Sequence, residues 1–338
     1  MLALAPEAAE VIFGGKLPRD RAIPQDELNR LLAEKAGAGK TVVRLKGGDP
    51  YIFGRGGEEA AGLHRDGVPF EVVPGISSII AAPSYAGIPL THRDHCSSFT
   101  VITGHEDPDK EESALDWERI ASEPGTKVFL MGVERIGKIA AALEANGLDA
   151  GTPVAMVRWG TMGRQKTITG TIATIADEVA KTDFKAPAVT IIGGVSTLRD
   201  SLNWFENRPL FGQRVVVTRT RSQASMLSGQ LKDLGADVLE IPTIKIVPPG
   251  SIEPIVEAVT GIGSYDWIIF TSPNGVGAIL RLFFQGLSRC PRPWQHPFCG
   301  RRPGHREKAH AVSSQYRPHT GSLHRRGHGQ GAARLPKR

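Results

Sequence analysis

The segment Arg44-Leu-Lys-Gly-Gly-Asp-Pro-Tyr-Ile-Phe-Gly-Arg-Gly-Gly-Glu-Glu59 gathers more chemistry-bearing residues than any other stretch of the chain. An apolar run ends on Gly47 and Gly48, where backbone without side chains lets a ligand approach closely. Asp49 follows, placed to accept a hydrogen bond from an amine or hydroxyl. In an open α/β sheet, ligands collect outside the carboxyl ends of strands. Arg55 then precedes Gly56-Gly57, which open a helix with Glu58 and Glu59 in its first turn. Acids there suit the positive end of the helix dipole, and by composition alone that is their simplest role.

Such residues need a scaffold, and the pattern around them is α/β. Apolar strand-like runs occur at Thr41–Lys46, Phe70–Val73, Phe99–Thr103, Lys127–Met131, Val154–Val157 and Ala188–Ile192. Helix-like stretches separate them at Pro24–Ala36, Gly57–Asp66, Val133–Asn146 and Ile172–Lys181. This alternation predicts an α/β fold with a largely parallel sheet. Ser196–Gly212, polar and holding Pro209, reads as a connector. A fresh α/β unit follows: strand Arg214–Thr218, helix Gln223–Leu234, strand Asp237–Ile241 and strand Trp267–Thr271. The pattern stops near Phe284. The boundaries are therefore a first domain at 1–196, a linker at 197–211, a partial second domain at 212–284 and a basic tail of low order at 285–338.

Further matches accompany the glycine-rich segment in order. They are Val73-Pro-Gly-Ile-Ser-Ser78, Ala86-Gly-Ile-Pro-Leu-Thr-His-Arg-Asp94, Val101-Ile-Thr-Gly-His105, Leu130-Met-Gly132, Trp159-Gly-Thr161, Gly170-Thr-Ile-Ala173 and Ala186-Pro-Ala-Val-Thr-Ile-Ile-Gly193. Over roughly residues 10–196 the chain resembles the uroporphyrinogen-III C-methyltransferase family, within the wider tetrapyrrole methylases. The resemblance implies a methylase fold of two α/β subdomains. It also implies S-adenosyl-L-methionine as methyl donor, with Gly47, Gly48, Asp49, Ile52, Ser77, Ser78, Met131, Gly160 and Ala188 lining its site. Taken singly, Met131 reads as a strand core residue and Gly160 as a turn glycine. Arg55, Glu58 and Arg93 fall where the family meets its substrate, and Lys16, in Phe13-Gly-Gly-Lys16, where a lysine serves as an acid. The chemistry is coherent, because uroporphyrinogen III carries eight carboxylates and guanidinium forks bind carboxylates in pairs. The plainer role for Arg93 is an ion pair with Asp94. The implied reaction is two successive C-methylations giving precorrin-2, on the way to siroheme or cobalamin. The resemblance also suggests a homodimer.

The family opens with a strand and a Gly-Pro-Gly-Asp-Pro cofactor loop, and nothing in this sequence matches either. The expected alternatives are thus an inactive product or a methylase of a later corrin intermediate. Arg214–Arg221, Ala236–Thr243 and Tyr265–Val276 resemble uroporphyrinogen-III synthase, with Thr218, Arg219, Thr271, Ser272 and Asn274 at its motif positions. That enzyme returns to its first lobe at the chain's end, a return not seen here, so no synthase activity is expected.

Composition bounds the rest. Of 338 residues, 40% are hydrophobic and 22% charged, an ordinary globular balance. The net charge of +6 belongs to the tail: Gly286–Arg338 holds twelve Lys/Arg and one acid, leaving 29 basic and 34 acidic residues elsewhere. Nucleic-acid binding by the body is not expected. The abrupt change of character in the tail is that of a disordered basic segment or of out-of-frame translation. Three cysteines make no disulfide framework, no apolar run is long enough for a bilayer, and no basic signal segment opens the chain, so a cytoplasmic protein without metal is expected.

Overall fold

The computed structural model describes residues 5–6, 8–14, 23–105, 115–219, 221–244, 247, 249–265, 267, 269–270 and 274–279. The chain divides into two compact units, 1–246 and 247–338.

Among the described residues of the first unit, three helices come before any paired strand: α1 (Gln25–Gly37), α2 (Gly56–Arg65) and α3 (Ser78–Tyr85). Then follow β1 (Phe99–Thr103), α4 (Trp117–Ser122), β2 (Thr126–Leu130), α5 (Ile136–Ala145), β3 (Pro153–Arg158), β4 (Lys166–Thr171), α6 (Ile175–Lys181), β5 (Ala188–Ile192) and α7 (Arg199–Leu202). The five strands form one sheet in the order β1-β2-β5-β3-β4. Only β1 and β2 are parallel; β2–β5, β5–β3 and β3–β4 are antiparallel. The expectation of a largely parallel sheet is therefore corrected to a mixed one. The strand that the sequence did not reveal is β4, whose Lys-Thr-Ile-Thr-Gly-Thr sequence is half-exposed edge strand without an apolar run. It pairs with β3 as a hairpin and turns the chain back.

Two apolar cores flank this sheet, because alternate strand residues point to opposite faces. Phe129, Val154, Met156 and Ile192 face α4, α5 and α6 with Ile139, Leu143 and Ile175. Val128, Ala155, Val157, Val189 and Ile191 face α3 with Ile79, Ala82 and Ala86. Phe129, Ile139, Leu143, Met156 and Ile191 are fully buried, and each contributes roughly 1.5–3 kcal/mol relative to exposure.

Two expected strands, at 41–46 and 70–73, are not strands. Val42, Val43, Leu45, Phe70 and Val73 are exposed there. An apolar run becomes a strand only where a neighbouring backbone pairs with it, and the described residues supply none. The segment expected as a connector is structured. Arg199 donates to the Ala86 carbonyl at 2.8 Å and pairs with Glu206, which also accepts from Gln165 (2.8 Å) and Thr167 (2.7 Å). Phe205 is buried against Tyr85. Next come β6 (Arg214–Val217), α8 (Arg221–Asp233) and β7 (Asp237–Glu240), with β6 and β7 parallel as the strand-helix-strand pattern requires.

In the second unit, α9 (Glu253–Thr260) is followed by a 3-10 turn at Ile262–Ser264. Of the strand expected at Trp267–Thr271, the described residues Trp267, Ile269 and Phe270 are not in a strand. The tail at 285–338 lies outside the described residues. Among the described residues, no helix is long and apolar enough to cross a membrane.

Candidate functional site

The first group of candidate residues sits on two loops locked together backbone to backbone. Asp49 holds them: one carboxylate oxygen accepts from Tyr51 N at 2.8 Å and the other from Gly75 N at 3.1 Å. These bonds, Gly75 first and Tyr51 second, keep its pKa below the usual carboxylate value. Asp49, read from the sequence as an acceptor for a ligand, thus has both oxygens engaged within the protein. The approach is so close that a Cβ on Gly75 would stand 2.2 Å from the Gly48 carbonyl oxygen, so only glycine fits. Gly47, Gly48 and Ile52 are exposed along this loop. The second loop runs into α3, where buried Ser77 is the N-cap and accepts from Ile79 N at 3.4 Å; Ser78 is exposed on the first turn.

The second group lies along the rim of the five-stranded sheet where the central strands β2 and β3 end and β5 begins. Met131 is the first residue beyond β2, Gly160 stands two residues past the end of β3, and Ala188 opens β5. Register brings them together: Leu130 pairs with Val189, and Arg158 with Ala188. A Cβ on Gly160 would sit 2.5 Å from Ala82 Cβ, so glycine is needed there for α3 to dock. Helix α3 therefore joins the two groups, with Ser77 at its start and Ala82 against Gly160.

Backbone strain concentrates in the same places. Among the described residues, six non-glycine residues have positive φ; five of them, Phe53, Arg55, Met131, Trp159 and Thr161, lie in or beside these two groups. Left-handed conformations cost of order 1–3 kcal/mol each and persist where the surroundings over-determine them, commonly at ligand sites. Met131, held at φ 57° and 52% exposed, is a large apolar side chain kept at an open sheet edge.

The residues expected to meet a substrate are placed as follows. Arg55 and Glu58 form a two-pronged ion pair, Nε–Oε1 at 2.9 Å and Nη2–Oε2 at 2.6 Å, with both side chains exposed. The pair raises the Arg55 pKa and lowers that of Glu58. Arg93 is exposed in the tight turn closed by the His92–Cys96 bridge, and Asp94 there approaches His92 Nδ1 at 3.7 Å. Lys16 lies outside the described residues. Of the synthase-motif positions, Thr218 and Arg219 follow β6 and Asn274 is helical, while Thr271 and Ser272 lie outside the described residues.

Two charged clusters escaped the sequence reading. Glu59, 5% exposed, accepts from Lys46 (2.9 Å), Gln25 (3.1 Å) and Arg44 (3.2 Å), tying α1 and α2 to the segment before Gly47. Burial pushes its carboxyl up, but the hydrogen bonds of Lys46 and Gln25 and the nearby Arg44 outweigh this and leave it below the usual value. Arg44 and Lys46, two apart on an extended segment and hence on one side, were the available signal. The other cluster is Arg199–Glu206 with Gln165 and Thr167. There too burial raises the Glu206 pKa and Arg199, Thr167 and Gln165 bring it below normal.

Residues 1–176 match the family of tetrapyrrole (corrin/porphyrin) methylases, and residues 225–296 match uroporphyrinogen-III synthase HemD. The chain is 38% identical over 288 residues to a porphyrin biosynthesis protein HemD of Ruminiclostridium josui, covering 85% of this chain and 56% of that protein. It is 41% identical over 281 residues to a uroporphyrinogen-III C-methyltransferase of Bacillus subtilis (strain 168), covering 83% and 57%. It is 52% identical over 197 residues to an S-adenosyl-L-methionine-dependent uroporphyrinogen III methyltransferase of Methanosarcina barkeri, covering 58% and 77%. The chain thus spans little more than half the length of the first two relatives. A match over residues 1–176, with a relative covered at 77% of its length, makes the chain a member of the tetrapyrrole methylases.

Proposed function

We propose that the chain transfers methyl groups from S-adenosyl-L-methionine to ring carbons of uroporphyrinogen III, forming precorrin-2 for siroheme or cobalamin. The observation that carries this reading is the joining of the two residue groups by α3, whose start holds Ser77 and whose middle presses on Gly160. The relatives' names point the same way. The synthase-like segment favours uroporphyrinogen III over a later corrin intermediate, because the family it matches is named for making that molecule.

The donor fits what is present. Exposed Gly47 and Gly48 admit close backbone approach, and half-exposed Met131 and exposed Ile52 offer apolar cover for an adenosyl group. Ser78, on the first turn of α3, offers a hydroxyl beside the helix N-terminus. S-adenosyl-L-methionine would supply an electrophilic methyl. The protein's part is orientation, since holding two reactants in line lowers the barrier of a bimolecular step. Asp49 keeps the glycine loop in shape, and Met131 and Trp159 hold left-handed backbone at the sheet edge. Arg93 would bind a carboxylate, and Arg55 would do so once Glu58 gives up its fork. A proton must leave the tetrapyrrole after each transfer, to a base or to water; Lys16, on the family resemblance, would serve separately as a proton donor.

We place the methylase in residues 1–196 and a synthase-like segment in 212–284, and we read the protein as a cytoplasmic homodimer on the family resemblance. Incubation with uroporphyrinogen III and S-adenosyl-L-methionine, followed by mass spectrometry, tests the reaction. Product carrying two added methyl groups is expected. Unmodified tetrapyrrole, together with no rise in melting temperature under saturating S-adenosylhomocysteine, would overturn it.

A further inference from the structure

The hairpin loop between β3 and β4 carries a cationic structure that the proposed reaction has not yet used. Two guanidinium groups lie over the Trp159 ring, Arg158 at 3.8 Å and Arg164 at 4.7 Å from its centroid. The Nε atoms of both arginines are buried with no hydrogen-bond partner. An unsatisfied buried donor on a charged group calls for an explanation. Arg55, by contrast, has its fork already closed by Glu58. Nearby Asp183 feels the charges of Arg158 and Lys166, but its carboxylate is bound by Lys185 at 2.7 Å.

The loop is held firmly. Thr161 N donates to the Gln165 side-chain oxygen at 2.9 Å, and Gln165 N to the Met162 carbonyl at 2.8 Å. The Gln165 amide, 4% exposed, reaches the Tyr85 carbonyl at 3.2 Å and Glu206 at 2.8 Å. The Gly163 carbonyl accepts from Gly212 N at 2.9 Å. Two guanidiniums stacked on a fixed indole are thus pre-placed, which reduces the ordering cost of binding. They stand at the edge that presents Met131, Gly160 and Ala188, since Arg158 pairs directly with Ala188.

We propose that Arg158 and Arg164, splinted by Trp159, form a subsite for the carboxylate arms of the tetrapyrrole. This deepens the reading above and rests on it. A molecule with eight carboxylates needs several cationic partners beside its reacting carbon, and planar forks on a rigid ring are suited to them.

Uroporphyrin III, the oxidised form that keeps all eight carboxylates, is the probe, titrated by its fluorescence. Arg158→Gln and Arg164→Gln should each weaken binding about tenfold and the double variant about a hundredfold. Arg164→Lys should restore only part, because the charge returns without the fork. The double variant should also lose most of the preference for uroporphyrin over coproporphyrin, which has fewer carboxylates. Its melting-temperature rise with S-adenosylhomocysteine should equal that of the parent, which separates lost recognition from lost folding. A double variant binding uroporphyrin within about twofold of the parent, or a parent with no affinity for it, overturns the subsite. A parent that binds uroporphyrin but neither responds to S-adenosylhomocysteine nor transfers methyl overturns the reaction and leaves the subsite standing.

Discussion

The two walls of the candidate site are built differently. The sheet-edge wall, with Met131, Gly160 and Ala188, ends strands that are paired along their length and covered on both faces by apolar core. The loop wall, with Gly47 to Ile52, has neither. It is held by the Asp49 carboxylate on one side and the Glu59 cluster on the other, and it leaves Val43, Phe53 and Ile76 exposed. One wall owes its shape to packing, which many residues share. The other depends on a few hydrogen bonds, each of which matters to the local conformation.

The largest effect should come from breaking the packed wall. Phe129→Ala, at a fully buried position, should cost about 3–5 kcal/mol in denaturant unfolding. A cost below about 1 kcal/mol would mean that the core is not shared as described. Next is the contact that joins the walls. Gly160→Val, forced against Ala82, should weaken S-adenosylhomocysteine affinity by more than about tenfold in calorimetry. Undiminished affinity would detach Gly160 from the site.

The loop wall should respond locally. Asp49→Ala should weaken that same ligand by about tenfold while leaving the melting temperature of the free protein nearly unchanged, because the sheet does not rest on it. An equal loss in both would erase the distinction between the walls. The Glu59 cluster gives a finer test by pH. Its pKa is depressed in the folded state, so its contribution is present above the ordinary carboxylate pKa and is lost as pH falls through the folded value. Melting temperature should therefore drop more steeply on acidification for the parent than for Glu59→Gln, and parallel profiles would rule the cluster out as a source of that slope. The smallest effect should be Glu58→Gln. The ion pair is solvent-exposed, so stability should hardly change, while freeing Arg55 should alter uroporphyrin binding in a salt-dependent way.

Much of this was legible in the chain. The strands at Phe99–Thr103 and Ala188–Ile192 appear at the bounds that their apolar runs mark, and the helices α1, α2 and α5 fall within about three residues of expectation. The paired glycines at 47 and 48 were recognisable as a local signal, and Gly48 does take a left-handed φ of 71°, whereas the need for glycine at 160 comes from Ala82, far away in the chain. The mixed strand directions were not, since β4 carries threonines where an apolar signal was sought. Nor were the loops at 41–46 and 70–73, whose composition is that of strands.

The sequence by itself determined which residues are apolar, which are charged and where the backbone lacks a side chain, because those are properties of the residue alone. Only the tertiary structure decided that Asp49 bonds to Gly75, that Arg55 is closed by Glu58, and that Arg158 and Arg164 share one indole. Hydrogen bonds and ion pairs act over a few ångströms. Residues 26 apart in the chain, such as Asp49 and Gly75, come within that distance only once the fold has placed them there.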